Sequence, residues 1–321
     1  MMNSLEEVCS KIQLLLEKAV KKNLAEGILL SGGLDTSILA FIASKFIRLK
    51  AVTVAFQSAP APDIEYATLI ANRLAVDHII HVFDEDELFD AIPIVVKTMM
   101  SFDPMEIRNS VTICVALKVA KDNGINTVMT GDGCDELFAG YSFLFGLEKE
   151  ELDLDLAKMW AVMRFSSVPL ASFLGMEAKL PYLDPDFEDF AMKLDSLYKV
   201  QKENGRTYGK WILRKAYERI LPVEVTWRVK TPIEYGSGTT TLPDLFNRKI
   251  SNTDFDEKRR RYLDEDAVTI RDKEQLFYYE TYRSLMGVPH PTGMEGKICP
   301  YCNSSIPENS SYCRVCGGYP L

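Results

Sequence analysis

The sequence predicts an α/β protein: a parallel sheet with helices on both faces, then a mainly helical second half and a small four-cysteine module. Short apolar runs alternate with amphipathic stretches in the first part of the chain, which is the pattern of a parallel sheet. Residues 147–250 instead predict helices, with breaks at Pro, Gly and Asp. Four of the seven cysteines lie in the last 23 residues, a clustering that favours a metal site over a disulfide framework.

Composition limits both the class of protein and its partners. With 321 residues, of which 47% are hydrophobic, the chain suits one large domain with an appendage. A net charge of −9 argues against a general electrostatic attraction to nucleic acid. The sequence shows no secretory signal, and no apolar run approaches the roughly 20 residues that span a bilayer. We therefore expect a cytoplasmic protein in a reducing compartment, without a membrane partner.

The first predicted element is an amphipathic helix over residues 3–25. Its apolar residues recur at helical spacing, and Ser4 with Glu7 fits a capping box. Buried strands are expected at 50–56 and 78–83, with a helix between them. Strands joined through helices are what parallel pairing requires.

The stretch from Gly27 to Ser37, GILLSGGLDTS, is the centre of this pattern. Its apolar strand ends in two glycines, which let backbone N–H groups come close to an anion. The helix that follows points its positive end at the same place. Asp35 is suited to a magnesium ion that bridges phosphate oxygens. The stretch predicts a phosphate or pyrophosphate cradle, and the Walker A pattern GxxxxGK[ST] does not occur in the sequence.

A second turn of the same kind follows a short apolar strand at 127–129. It reads GDGCDE over residues 131–136. Either turn alone is compatible with an ordinary glycine turn that carries solvated acids. Ligands of parallel sheets bind where the carboxyl ends of strands meet, so two such turns place Asp35 and Asp135 on two sides of one magnesium–phosphate group.

Two stretches of the second half are given ordinary structural interpretations. Residues 177–184 predict a compact turn between helices. Residues 209–220 predict a helix on which Lys210 and Arg214 lie four apart. The simplest interpretation of this pair is a basic face whose ammonium and guanidinium groups reach water.

Five motifs resemble, in the same order, those of the synthetase domain of asparagine synthetases. They are SGGLDTS at 31–37, SFDPMEIRNS at 101–110, GDGCDELFAGY at 131–141, EAKLPYLD at 177–184, and the helix and lysine loop at 209–238. The first motif alone would indicate only the wider group of PP-loop ATP pyrophosphatases, which includes tRNA-thiolating enzymes and GMP synthetase. Five ordered motifs, within a similarity over roughly residues 5–285, are much more specific. The resemblance implies a PP-loop fold of the adenine nucleotide alpha hydrolase type.

The resemblance also implies an amide synthetase that uses ATP and Mg²⁺. In that family a carboxylate, aspartate by default, attacks the α-phosphate to give an acyl-adenylate and pyrophosphate, and ammonia then displaces AMP. By this resemblance, Asp35 and Asp135 hold Mg²⁺. Lys230 neutralises charge on the α-phosphate, and Arg108 clamps a phosphate or carboxylate. The resemblance also implies a pyrophosphate cradle formed by Ser31, Gly32, Gly33, Thr36 and Ser37. It places Leu30, Val54 and Phe56 around adenine. Gly131 and Asp132 line the same site.

Three departures from the family pattern bear on the activity. The family normally begins with a glutaminase domain, whereas this sequence enters the synthetase helix directly. We therefore expect nitrogen from ammonia, from a separate glutaminase or from another amine donor. The catalytic glutamate of the family's GEGSDE is Asp132 here, and the shorter carboxylate fits a different nucleophile or a bulkier substrate. The family's serine is Cys134, which we interpret as a small buried replacement rather than a redox or sulfur-carrying thiol.

Two other functions are alternatives to the synthetase. A PP-loop ATP pyrophosphatase that modifies tRNA, for example by thiolation, is motivated by Cys134 and by the cysteine-rich tail. The motifs after residue 100 argue against it, because they resemble the asparagine synthetase branch. A catalytically inactive binding protein is disfavoured by the presence of Asp35, Asp135 and Lys230.

The tail carries the pattern CxxC-x10-CxxCG, formed by Cys299, Cys302, Cys313 and Cys316. Two such knuckles make a tetrahedral four-thiolate zinc site, and a closed site of this kind is structural. The pattern resembles short zinc ribbons, which cannot bury enough core without their metal. The ribbon's expected partners are tRNA, another protein or the synthetase domain itself.

The expected domain organisation follows from these assignments. The synthetase domain takes residues 1–286, a linker takes 287–297, and the zinc ribbon takes 298–321.

Overall fold

The computed structural model describes residues 4–57, 59–291 and 296–321. Its helices are, in chain order, α1 Leu5–Lys22, α2 Leu34–Ala43, α3 Pro62–Leu74, α4 Glu85–Met99, α5 Pro104–Asp122, α6 Cys134–Leu137, α7 Lys149–Trp160, α8 Ser167–Phe173, α9 Pro185–Lys193, α10 Trp211–Tyr217, α11 Val223–Thr226, α12 Ile233–Ser237, α13 Leu242–Lys249, α14 Asn252–Asp266 and α15 Lys273–Met286. Its strands are β1 Gly27–Leu29, β2 Lys50–Phe56, β3 Asp77–Phe83, β4 Thr127–Met129, β5 Glu177–Lys179, β6 Gln201–Glu203, β7 Arg206–Tyr208, β8 Lys297–Ile298 and β9 Ser305–Ile306. Within these ranges, no helix is both long and apolar enough to cross a bilayer.

A parallel five-stranded sheet is the frame of the first of two compact units. This unit contains residues up to 53, 62–81 and 116–232. The strand order is β3-β2-β1-β4-β5, and β1 pairs in parallel with both β2 and β4. The predicted α/β class with a parallel sheet is confirmed. Because β1 and β4 are neighbours at the centre, the turns that follow them leave the sheet side by side.

The N-terminal helix α1 forms as its sequence predicts. The hydroxyl of Ser4 accepts a hydrogen bond from the amide of Glu7, and the Glu7 carboxylate accepts one from the amide of Ser4. This capping box satisfies two amides that the first helical turn leaves unpaired. The apolar face of α1, including the fully buried Ile12 and Leu16, packs into a core shared with α2 and α10.

Residues 177–184 are more than the predicted turn between helices. Residues 177–179 form the edge strand β5, in which Ala178 pairs in parallel with Val128 of β4. Three residues are too few to show the period-two alternation of a strand, so pairing with β4 decides their conformation. A short 3₁₀ turn follows at Pro181–Leu183 and buries the ring of Tyr182 completely.

The second unit contains residues 54–61, 82–115 and 233–321. Helices α4, α13 and α15 pack together through the rings of Phe89, Phe246 and Phe277. The four-cysteine module belongs to this unit. Part of the predicted linker 287–297 lies outside the described residues, and the predicted domain boundaries stay a prediction.

An unusual feature of the first unit is the buried lysine Lys199. Its side chain is only 1% exposed, and its ammonium lies 4.6 Å from the centre of the Trp160 ring. Among the described residues this ammonium has no hydrogen-bond partner. Burial lowers the pKa of Lys199 to about 7, although Asp153 and Asp195 partly oppose the shift. A buried amine of this kind costs stability whenever it is protonated.

We expect stability to rise with pH through this lysine. The unfolded chain keeps an ordinary pKa near 10.4, so between about pH 7 and pH 10 it binds more protons at this site than the folded chain. The free energy of unfolding should rise by about 3–4 kcal/mol across that window through Lys199 alone. Lys199→Met should remove this part of the slope in urea unfolding measured at several pH values. An unchanged slope would contradict the assignment, and the exposed Lys158→Met is the matched control.

Candidate active site

The turn after β1 is held by its own hydroxyl groups. The Ser31 hydroxyl accepts a hydrogen bond from the Gly33 amide at 3.2 Å and lies 3.2 Å from the Thr36 hydroxyl. Gly32 has a φ of +66°, and a Cβ at this position would lie 2.2 Å from the amide nitrogen of Ala67. Only glycine fits there. The turn therefore packs closely against the backbone at Ala67, and this contact restricts how far the amino end of α2 can move.

Helix α2 begins directly after this turn and carries the predicted residues Asp35 and Ser37. The backbone carbonyl of Asp35 accepts a hydrogen bond from the Tyr182 hydroxyl at 3.0 Å. The Oδ1 atom of Asp35 and the hydroxyl of Ser37 are buried and have no hydrogen-bond partner within the described residues. Leu30, which precedes the turn, is 2% exposed. Unsatisfied oxygens at a helix amino end are groups that a bound cation or phosphate can satisfy.

The turn after β4 lies against the turn after β1. A Cβ on Gly131 would lie 3.1 Å from the Cβ of Asp35 and 3.1 Å from a methyl carbon of Thr36. A Cβ on Gly140 would lie 1.7 Å from the Oδ1 atom of Asp135. The segment after β4 therefore needs a small residue at both of these positions. The structure brings the two predicted turns together, as the neighbouring positions of β1 and β4 require.

Lys210 joins the two aspartates, although its sequence position suggested a solvated basic face. It is 4% exposed, and its Nζ lies 2.5 Å from Oδ2 of Asp35 and 2.8 Å from Oδ1 of Asp135. Burial alone would lower the pKa of Lys210, but the carboxylates of Asp135 and Asp35 raise it above its ordinary value. The interpretation of Lys210 as a side chain that reaches water is wrong, because its ammonium lies between the carboxylates of Asp35 and Asp135, whose side chains are only 18% and 16% exposed.

The backbone around Lys210 explains how the side chain reaches this position. Lys210 has a φ of +54°, in the left-handed region, and its amide donates to the carbonyl of Phe138 at 2.8 Å. A Cβ on Gly209 would lie 1.9 Å from the carbonyl oxygen of Ala139. The Gly-Lys pair thus lets two backbone segments touch and turns the lysine into the site. This pair is the local signal that sequence reasoning overlooked.

Lys230 contacts the same aspartate from another direction. Its Nζ lies 2.7 Å from Oδ2 of Asp135 and 5.0 Å from the centre of the Tyr141 ring. Burial alone would raise the pKa of Asp135, but the ammonium groups of Lys210 and Lys230 outweigh burial and hold the pKa below its ordinary value. Asp135 is therefore ionised at neutral pH, with two cations beside it.

Arg214 anchors the loop that carries Lys230, and its assignment to a solvated basic face is also wrong. It is 4% exposed and donates hydrogen bonds to the carbonyls of Gly209 at 3.0 Å, Thr226 at 2.5 Å and Arg228 at 3.0 Å. These bonds tie the residues before Lys230 to the start of α10. Three fixed acceptors match the planar donor pattern of a guanidinium, which lysine could not reproduce.

Asp132 is held by neighbouring hydroxyl groups. The hydroxyl of Thr130 donates to Oδ2 of Asp132 at 2.9 Å, and the hydroxyl of Ser167 donates to the same oxygen. Burial raises the pKa of Asp132, although both hydrogen bonds oppose the shift. Two residues further on, Cys134 is fully buried, and burial raises the pKa of its thiol well above the ordinary value. A neutral buried thiol agrees with the interpretation of Cys134 as a small packing residue.

Three further predicted residues belong to the second unit. Arg108 donates two hydrogen bonds to the carboxylate of Glu274, at 2.9 Å and 2.5 Å. The predicted clamp for a carboxylate is thus engaged by a carboxylate of its own chain. Val54 and Phe56 are 5% and 1% exposed. Their predicted role beside adenine stays a prediction.

The four tail cysteines form one cluster in the second unit. One sulfur atom from each of Cys299, Cys302, Cys313 and Cys316 lies within 4.8 Å of the others, and all four side chains are buried. None of them is in a disulfide. Four sulfur ligands at this spacing fit a tetrahedral zinc ion, and four protein ligands would fill every position of such a site.

We expect Lys210→Met to be far more destabilising than Lys230→Met. Without Lys210, Asp35 loses its ion pair and faces Asp135, which keeps only Lys230, and this should cost about 3–5 kcal/mol in urea unfolding near pH 7. Without Lys230, Asp135 keeps Lys210, and the loss should be about 1 kcal/mol.

The two variants should also differ in their pH dependence. In Lys210→Met, repulsion raises the pKa of one carboxyl, so the loss of stability should shrink as the pH falls to about 5 and this carboxyl takes up a proton. Equal losses in both variants would contradict the central place given to Lys210.

Comparison with known proteins identifies the family. The family model for asparagine synthase matches residues 11–167 and 149–276. The glutamine-hydrolyzing asparagine synthetase B of Escherichia coli (strain K12) is 31% identical over 302 residues, which cover 85% of this chain and 53% of that protein. A probable glutamine-hydrolyzing asparagine synthetase of Dictyostelium discoideum is 28% identical over 319 residues, which cover 88% of this chain and 56% of that protein. The chain thus spans about half the length of the curated relatives it matches. With most of its residues matched by the family model, this protein belongs to the asparagine synthase family.

Proposed function

We propose that this protein is an ATP-dependent amide synthetase that forms AMP and pyrophosphate. By default it activates aspartate as an acyl-adenylate, and ammonia or another amine attacks this intermediate. The observation that carries the proposal is the contact between the two strand-end turns, whose aspartates, Asp35 and Asp135, share the ammonium of Lys210. The two relatives described above, both of which are named as asparagine synthetases, support the same reaction class.

Asp35 and Asp135 are the residues that would hold Mg²⁺. Carboxylate oxygens are the hard ligands that this ion prefers. The buried Oδ1 of Asp35 accepts no hydrogen bond within the described residues, so a ligand atom is available there. The bound ion would neutralise charge on the pyrophosphate that leaves ATP.

Lys210 and Lys230 have different electrostatic roles at the site. Lys210, whose side chain is 5% exposed, bridges the carboxylates of Asp35 and Asp135 and holds them at a fixed separation. Lys230 has a side chain that is 29% exposed, and we assign it the contact with the α-phosphate. The hydroxyls and amides of residues 31–37 would receive the pyrophosphate. Preorganised charges of this kind stabilise a transition state without rearranging during the reaction.

Asp132 is the candidate general acid or base. Burial raises its pKa above the ordinary value of an aspartate, which is the direction that favours proton exchange. We propose that Asp132 orients the amine or the carboxylate substrate, with Thr130 and Ser167 fixing the direction of its carboxyl group. Arg108 stays a candidate clamp, and any substrate carboxylate would compete with Glu274 for it.

The geometry offers less support for tRNA thiolation. Sulfur transfer needs an accessible thiolate, because the thiolate is the nucleophile. Cys134 is fully buried, and burial raises its pKa. The tail cysteines are gathered into one closed cluster, in which sulfur atoms would serve as metal ligands.

The first test is pyrophosphate release from Mg-ATP in the presence of L-aspartate and ammonium. We expect release that both compounds stimulate, with asparagine as a product. Asp35→Asn keeps the size of the side chain but removes its charge, and it should lower the rate by about 100-fold or more. Asp186→Asn, at a position whose side chain is 72% exposed, is the matched control and should retain the activity.

The outcomes of this assay separate the candidate substrates. Release that ignores aspartate would overturn aspartate as the substrate, and a panel of other carboxylates would then be tested. Release that is absent with every carboxylate, or equal in wild type and Asp35→Asn, would overturn the synthetase proposal.

We also propose that the cysteine cluster holds one structural Zn²⁺. Elemental analysis of the purified protein should find about one zinc per chain. Cys316→Ser should reduce this content severalfold, because a three-thiolate site binds the ion less tightly. Cys9→Ser is the control, since Cys9 lies in α1, outside the cluster. Equal zinc content in all three proteins would contradict this site.

A further inference from the structure

The first knuckle of the cysteine module is bonded to the chain segment that precedes α15. The carbonyl of Tyr301, which lies between Cys299 and Cys302, accepts a hydrogen bond from the amide of Thr269 at 2.8 Å. The side-chain amide of Asn303 donates to the carbonyl of Ala267 at 3.4 Å. This knuckle therefore has a backbone partner within its own unit.

The second knuckle is bonded to the amino end of α15. The guanidinium of Arg271 donates to the carbonyls of Gly317 at 2.7 Å and Cys316 at 2.8 Å. The side-chain amide of Gln275 also donates to the carbonyl of Cys316, at 2.8 Å. A residue whose thiol is a candidate metal ligand is thus held through its backbone by two side chains. Such contacts around a metal ligand orient it.

The same knuckle is bonded to the loop that precedes α5. The amide of Phe102 donates to the carbonyl of Val315 at 2.7 Å. The hydroxyl of Ser101 donates to the carbonyl of Arg314 at 2.8 Å, and the hydroxyl of Tyr312 donates to the carboxylate of Asp103. The module therefore contacts two separate segments of the unit.

Asp103 links this contact to α5. Its Oδ1 accepts a hydrogen bond from the amide of Met105, and its Oδ2 accepts one from the amide of Glu106, both at 3.3 Å. Asp103 thus caps the amino end of α5 while it accepts the hydrogen bond from Tyr312. Arg108 lies on the same helix, two residues after Glu106.

Helices α5 and α15 are joined directly by the ion pair of Arg108 and Glu274. Glu274 is adjacent to Gln275, which holds the second knuckle, and its side chain is 1% exposed. The hydroxyl of Tyr278 donates to the same carboxylate at 2.9 Å. Arg108 and Glu274 therefore pair between the two helices whose amino ends contact the module.

The fit between the module and the loop leaves no spare room. A Cβ on Gly317 would lie 2.1 Å from Oδ1 of Asp103 and 2.9 Å from a guanidinium nitrogen of Arg271. The charge of the module also disfavours a nucleic acid as its partner. Residues 298–321 contain one Arg and one Glu and no Lys or Asp, so they lack the basic footprint that phosphate groups require.

We propose that the partner of the cysteine module is its own chain, and that the bound metal positions the Arg108–Glu274 pair. The metal fixes the two knuckles, the knuckles fix the 101–103 loop and the start of α15, and these fix the ion pair. Arg108 acts here as the positioned residue and the module as the positioning element. This inference depends on metal binding by the four cysteines and is independent of the synthetase reaction.

The test is amide hydrogen exchange on the full-length protein. Exchange is measured for the zinc-loaded protein, after removal of zinc by a chelator, and after ZnCl₂ is added back. We expect the amides of residues 101–107 and 269–276 to exchange about tenfold faster or more without zinc and to recover when zinc returns. The amides of β1 and β4, in the first unit, should not change.

A variant separates docking from metal binding. Arg271→Ala should retain zinc but lose the bonds to Gly317 and Cys316, so exchange at 269–276 should rise severalfold. Cys9→Ser should behave as wild type. Verified loss of zinc without faster exchange at 101–107, or an equal increase in β1 and β4, would overturn the proposal. Failure of the pyrophosphate assay would leave these exchange data unaffected.

Discussion

The ammonium of Lys210, placed between the carboxylates of Asp35 and Asp135, is the interaction on which the first unit depends. Two buried carboxylates that approach each other are tolerated only when a cation compensates them. The neighbouring positions of β1 and β4 create that approach. Gly131 and Gly140 then supply the space in which the groups meet. The chain itself therefore brings the two carboxylates together and balances their charge.

The turn after β4 arranges its acids in contrasting environments. Two ammonium groups hold the pKa of Asp135 below its ordinary value, whereas burial raises the pKa of Asp132 and of Glu136. Such a contrast commonly assigns one carboxylate to charge stabilisation and another to proton exchange. It also suggests where substrate preference is decided. Asp132 is shorter than the glutamate of the family pattern and is restrained by two hydroxyls, so we propose that substrate preference depends on this position.

The sequence was most informative where local chemistry determines the structure. The capping box of Ser4 and Glu7, the glycine turn and the parallel sheet follow from residue type and spacing. Strand β5 could not be predicted, because three residues carry no periodic signal and take their conformation from β4. Lys210 was misjudged for a related reason. Helical spacing indicates which residues share a face, but it cannot show that two distant turns present carboxylates to that face. The docking of the cysteine module likewise depends on backbone carbonyls, which every residue possesses.

The carbonyl of Cys316 accepts hydrogen bonds from both Arg271 and Gln275, so the C-terminal residues are part of the packing of the second unit. A shortened chain that ended before the ribbon would retain every candidate catalytic group, yet it would open part of the second unit's interior to water. Phe102, now fully buried against Tyr279 and Tyr282, lies in the loop that would be uncovered. The cysteine module therefore covers part of the second unit. A relative that lost these cysteines would need other apolar or hydrogen-bonding groups to cover the same residues.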